Sequence, residues 1–219
     1  MGRPAEFDEA EALERAMSAF WRGGYDATGL DDLVEATGLG RQSLYNTFGD
    51  KRGLFLRCLR LYHERGARAF REHLEGERPV ARAFASLFEG FLREGDEDKR
   101  RGCFMINAAM ELAPRDVEVG DLIARHQRVL EDVFTAALQA GRDRGELAAD
   151  LDVRAVGRFL VGTLLGMTVL AKSDPRSEAA GDMVRVALQV LRPAGATKNS
   201  GTRNQKRPAG VARPRRRPK

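Results

Sequence analysis

The stretch ATGLDDLVEATGLGRQSLYNTFGDK, residues 27–51, decides the fold. Leu30, Leu33 and Val34 recur at three- and four-residue steps, which stacks them on one face of a helix. Thr28 stands three residues before Asp31, a capping-box spacing that can satisfy free amides at a helix start. Gly38 is the residue that most cheaply takes the left-handed conformation of a helix ending, and Leu39 follows it as an apolar plug. A second helix is expected from about Arg41 to Phe48. Leu44 and Phe48, four apart, point one way, and Arg41, Gln42, Ser43, Tyr45 and Asn46 are left for the outward and flanking faces. Two short helices around a tight turn have the layout of a helix-turn-helix, whose second helix fits a DNA major groove.

Outward from this stretch, apolar residues keep a helical spacing and no segment alternates as a strand would. A first helix is predicted from about Asp8 to Trp21 and a long fourth one from Lys51 to about Leu74, with Asp50 as its cap. Pro79 opens a fifth. A charged loop, Gly95 to Arg101, leads to a short apolar helix from Cys103 to Ala113, and a long one spans Asp116 to Arg144 with a possible break at Gly120. Two apolar helices follow, Val153–Lys172 and Arg176–Arg192. The fold class is therefore all-α, about nine helices. It divides into a helix-turn-helix unit in residues 1–50, a helical body in 51–192 and a basic tail in 193–219.

The chain has 219 residues, and its 42% hydrophobic content supports a substantial core. Its formal charge is +5, yet nine of its 37 Lys and Arg, and none of its 32 acids, lie in residues 193–219. Residues 1–192 therefore carry a net −4, and the basicity belongs to the tail, which lacks the apolar clusters that would order it. Two cysteines, Cys58 and Cys103, make neither a disulfide framework nor a metal cluster and suit a reducing cytoplasm. The longest uncharged run, 159–171, is shorter than the roughly 20 residues of a membrane span, and no apolar leader precedes Glu6. A soluble, cytoplasmic protein without membrane contact is expected.

The signature GLGRQSLYNTFGDKRGLF, residues 38–55, preceded by DDLVEATG and ALERAMSAFWRGGYDATG, resembles the tetracycline-repressor (TetR) family of bacterial transcription regulators. The Leu44-Tyr45 pair, Phe48, the Gly49-Asp50 turn and Lys51 carry the resemblance, and GCFMINAAMEL, residues 102–112, looks like a variant of the family's regulatory domain. The resemblance implies DNA contacts from Arg41, Gln42, Ser43, Tyr45 and Asn46, with Thr28 and Lys51 on phosphates. Arg suits guanine, Gln or Asn suits adenine, and hydroxyls suit the backbone. No acid lies between Thr37 and Gly49, although residues 1–50 hold ten acids against four bases. Gly40 stands where the family often caps the recognition helix with Ser or Thr, and Asp31 faces phosphates poorly. Arg3 is either a minor-groove arm or makes no contact.

The resemblance also implies a homodimer through Val153–Lys172 and Arg176–Arg192, which presents two recognition helices to a palindromic operator. An effector cavity is implied as well, with Phe88, Phe91, Phe104, Met105 and Met110 among its candidate walls and Asn107 and His126 as polar anchors. The expected function is a ligand-responsive repressor released from its operator by a small, largely apolar effector. Cys103, near a helix start and after Arg101, is alternatively a thiol sensor of oxidants or electrophiles. A protein that coats DNA non-specifically through its tail is a further alternative.

Enzymatic readings find little support. Gly38-Leu39-Gly40 lacks a third Gly and a preceding strand, and His63, His73 and His126 hold no metal-ligand spacing with the cysteines. Neither a cofactor nor a metal is expected.

Overall fold

Asp8 starts the first helix, α1 (Glu9–Gly23), by accepting hydrogen bonds from the amides of Ala10 and Glu11, and Gly24 at φ 79° stops it. The structure is a computed structural model and describes residues 8–76 and 78–192. Arg3 and the basic tail, and the expectations attached to them, lie outside those residues. The second helix, α2 (Leu30–Thr37), ends at Gly38 in the left-handed conformation, and α3 (Arg41–Phe48) follows. In α4 (Lys51–Gly76) the Asp50 carboxylate caps the Gly53 amide at 2.6 Å. A Cβ at position 53 would lie 2.5 Å from the Phe48 carbonyl oxygen, so glycine lets α3 run closely into α4.

The remaining helices are α5 (Val80–Leu92), α6 (Asp96–Arg101), α7 (Phe104–Glu111), α8 (Val117–Asp143), α9 (Val153–Ser173) and α10 (Ala179–Ala187), closed by a 3-10 turn at Leu188–Leu191. Among the described residues no strand forms, and the all-α expectation is borne out. Where a charged loop was expected, Asp96–Arg101 forms the short α6. Three acids in its first turn and three bases in its last complement the helix dipole, a signal that hydrophobic periodicity does not register. Gly120 does not break α8, which runs uninterrupted from its Asp116 cap.

Two apolar clusters hold the fold. The first joins Ala16, Phe20, Leu33, Leu44 and Phe48 to Phe55 and Leu59 of α4 and to Phe104 and Met105 of α7. Its aromatic rings meet edge-on, with Phe55 at 5.0 Å from Phe20, 4.9 Å from Tyr25 and 5.5 Å from Phe104. The second gathers Phe84, Phe88, Phe134, Leu138, Leu160 and Met167 from α5, α8 and α9. Helices α4 and α8 contribute to both. Helix α9 is long and apolar enough by itself to cross a bilayer. Here its Leu160, Val161, Leu164 and Met167 pack inside the second cluster.

Candidate nucleic-acid interface and the cavity behind it

Leu44 and Phe48 anchor α3 with exposures of 3% and 5%, which turns Arg41, Gln42, Tyr45 and Asn46 to the surface. Ser43 is half-buried beside them. Gly40 caps α3 without a side chain, leaving its first amides free. The Arg41 guanidinium pairs with the Asp31 carboxylate of α2, and Gln42 Nε2 donates to Asn46 Oδ1 at 2.9 Å. Lys51 begins α4 with its ammonium 4.4 Å from the Tyr25 ring centroid and 3.5 Å from the Asp26 carbonyl oxygen. A cation at a helix N-terminus, where the dipole is also positive, favours a phosphate as neighbour.

Thr28 differs from expectation. The residue is 4% exposed and its hydroxyl donates to the Gly24 carbonyl at 2.6 Å, so its proton is engaged inside the α1–α2 connection. It does not cap α2. Gly29 occupies the cap position, and the Asp32 carboxylate accepts its amide at 2.6 Å.

Behind the helix-turn-helix lies a cavity of about 350 Å³ bounded by α4, α5, α8, α9 and the α6–α7 connection. Its walls are mostly apolar, with Tyr62, Phe70, Phe91, Leu130, Leu164 and Leu165, and Trp21 of α1 completes them. Polar groups also face it: His126, Thr168 and Cys103, with Glu94, Asp98 and Arg101. His126 Nδ1 meets His63 Nδ1 at 2.9 Å, and burial, followed by the His63 charge, holds His126 down at about 4. Tyr62 donates to Cys103 Sγ at 3.6 Å, and burial pushes the phenol well above its ordinary range. The cavity wall shields the Glu94 carboxyl from water and Asp98 adds negative charge, both of which raise it. Cys58 is fully buried, and burial pushes its thiol up.

An open recess of about 450 Å³ adjoins the cavity, with Trp21, Cys103 and Thr168 in the walls of both. Of the seven effector-site candidates, Phe91 and His126 face the cavity. Asn107 and Met110 line the recess, where Asn107 donates to the Arg101 carbonyl and accepts from Lys172. Phe88, Phe104 and Met105 are at most 2% exposed and belong to the cores, because their helix faces point between helices and not into the void. Trp21, Tyr62 and Leu164 were not singled out as cavity residues. Their apolar spacing matches ordinary core, and only helix placement separates the two.

The cavity is wired to the helix-turn-helix through α7. Trp21 Nε1 donates to the Gly102 carbonyl at 2.9 Å, just before α7. At the other end, the Glu111 carboxylate accepts the amides of Tyr25 at 2.9 Å and Asp26 at 2.7 Å. Arg52 of α4 grips Asp116 at 2.7 and 2.9 Å and holds its carboxyl down at about 2.

Two family profiles match this layout. "Bacterial regulatory proteins, tetR family" covers residues 12–58, and "Tetracyclin repressor-like, C-terminal domain" covers residues 79–187. Together they span well over half of the chain. The chain belongs to the TetR family. Within that family it is 39% identical over 193 residues to the uncharacterized HTH-type transcriptional regulator YezE of Bacillus subtilis, covering 87% of this chain and all of that one. The HTH-type transcriptional repressor ComR of Escherichia coli is 35% identical over 87% of this chain and 90% of its own length. Among solved TetR structures, a triple cysteine mutant of CifR complexed with 26-base-pair operator DNA matches with a TM-score of 0.76 and 32% identity, over 86% of this chain and 98% of that one. These TetR relatives are transcriptional regulators, not enzymes.

Proposed function

We propose that the chain is a cytoplasmic, homodimeric repressor of transcription that binds a palindromic operator through α3 and leaves it when a small, largely apolar molecule fills the cavity. The observation that carries this reading is Trp21, which is both part of the DNA-binding unit and a wall of the cavity. An occupant of the cavity touches the helix on which α2 and α3 are mounted. The ComR name and the operator complex of CifR support repression and operator binding.

Arg41, Gln42 and Asn46 read base edges, Ser43, Tyr45 and Lys51 hold phosphates, and Phe91 and His126 contact the effector together with Tyr62 and Trp21. Two copies pair through α9, α10 and the closing 3-10 turn, whose Phe159, Val169, Leu170, Val186 and Val190 are 39–53% exposed in the single chain. That pairing sets two recognition helices roughly 34–36 Å apart, one DNA turn. Release requires that the effector bind better to the conformation whose helix spacing misses the operator. Selection of bound duplexes from a random pool tests this reading. A two-fold symmetric consensus is expected, and uniform retention of the pool would instead identify a DNA-coating protein.

A second reading makes Cys103 a thiol sensor. It is favoured by the position of Sγ in the walls of both cavity and recess, in contact with Tyr62. On this reading the Cys103→Ser variant stays on its operator under an oxidant that releases the wild type. Equal release of both proteins leaves the cavity occupant as the signal.

A further inference from the structure

We infer that Asp31 is a specificity-determining residue, the buttress that fixes the Arg41 guanidinium for reading a base. This rests on the assignment of α3 to the major groove proposed above. Arg41 is the single charged side chain of α3 and stands at its first position. Its side chain is 60% exposed, and its described polar contact is with Asp31, in the first turn of α2 and itself 81% exposed. An exposed ion pair of this kind adds little to folding stability, and an acid in the first turn of α2 adds a modest helix-dipole gain whether or not it meets Arg41. A bare carboxylate there would repel DNA phosphates. The pair cancels its charge while keeping it beside the reading face.

Guanidinium geometry supplies the function. Arg carries five donors in one plane, and Asp31 accepts from Nη2. The remaining donors, biased toward one orientation by this contact, still match the O6 and N7 acceptors of guanine. An arginine so tied loses less freedom on meeting a base and is less available to a phosphate, which any sequence offers. Asp31 therefore trades general affinity for discrimination. The neighbouring acid Asp32 does not share this role, since its carboxylate is engaged by the Gly29 amide. Beside Arg41, Gln42 and Asn46 already hold one another, so the reading face is pre-set at two points before DNA arrives.

The experiment compares the full chain with Arg41→Ala, Asp31→Asn and Asp31→Glu. Each protein is put through random-pool selection, followed by titration of the wild-type consensus duplex and of a scrambled duplex. Arg41→Ala is expected to erase the preference at one base pair in each half-site. Asp31→Asn is expected to reduce the preference at that same base pair several-fold, a part of the roughly 5- to 150-fold that one good arginine–guanine pair supplies, while binding the scrambled duplex more tightly. Asp31→Glu, which restores a carboxylate, is expected to recover part of the preference. Tighter binding of both duplexes by Asp31→Asn, with the preference intact, would show a merely repulsive charge and overturn the inference. An unchanged consensus for Arg41→Ala overturns it from the other side, because Arg41 then reads nothing. A wild-type selection with no consensus would remove the α3 assignment itself. Melting curves are expected to shift little for all three variants, because every altered side chain is exposed and the helix-dipole contribution of Asp31 is at most about 1 kcal/mol.

Discussion

Between α4 and α8, the rings of His63 and His126 meet Nδ1 to Nδ1 at 2.9 Å, a contact that requires one ring to donate and the other to accept. Protonating both would set two cations against each other beside the cavity. Burial lowers both histidines, His126 from 6.5 to about 4, while Glu64 raises and Arg125 lowers His63. Tyr62 packs against the His126 ring at a centroid distance of 6.4 Å. Between pH 6.5 and about 4 the unfolded chain takes up a proton at His126 that the folded chain refuses. This contribution to stability is complete above 6.5 and is lost as pH falls through that window. Melting temperatures across it should decline less steeply for His126→Gln than for the wild type. Parallel declines would place the acid sensitivity elsewhere. His126 could be singled out from sequence as a polar residue on an apolar helix face, but His63 could not, since nothing local ties positions 63 residues apart.

At the scale of elements, helix ends were the most legible part of the chain. Gly38 closes α2, Asp50 and Asp152 open α4 and α9, and Pro79 sits just before α5, all through local backbone chemistry that a sequence displays. Helix packing is less visible. A Cβ at Gly141 of α8 would lie 2.4 Å from Cγ1 and 2.9 Å from Cβ of Val80 in α5, so that crossing depends on a missing side chain. Alanine there would favour the helix by about 1 kcal/mol but overpack the crossing by about 1–3 kcal/mol. A net loss near 1 kcal/mol is therefore expected for Gly141→Ala, read from the urea midpoint. Combining it with Val80→Ala should recover part of that loss through a double-mutant coupling. The cavity walls were illegible for the same reason: Phe91 faces the void, and Phe88, three residues earlier, fills the core. A small difference in helix rotation separates the two roles.

For the whole molecule, charge and apolar surface lie in different places. The described helices belong to a region of net −4, so general attraction cannot hold the folded part on DNA, and placed side chains must do so. Among the described residues, exposed apolar side chains include Met110 and Val117 at the ends of α7 and α8, and a larger group, Phe159, Val169, Leu170, Val186 and Val190, on α9, α10 and the closing 3-10 turn. Val169 is 53% exposed, so Val169→Glu should alter the stability of a single chain by no more than about 0.5 kcal/mol. In a dimer built on this face it would bury a charge. Sedimentation is expected to show a dimer for the wild type and a monomer for Val169→Glu, with operator affinity falling in step. A wild-type monomer at micromolar concentration, or a variant that remains dimeric, would move the interface elsewhere.

The chain contains a single tryptophan, and Trp21 stands where DNA-binding unit, cavity and α7 meet, its ring under the Arg101 guanidinium at 4.4 Å. Tryptophan emission from this chain, excited selectively beyond the tyrosine absorption, therefore comes from one address. A molecule entering the cavity changes the polarity around the indole, and movement of the head away from α7 frees its N–H from the Gly102 carbonyl. Both events recolour the same spectrum, so the native chain carries its own dye for following a signal from the cavity to the DNA.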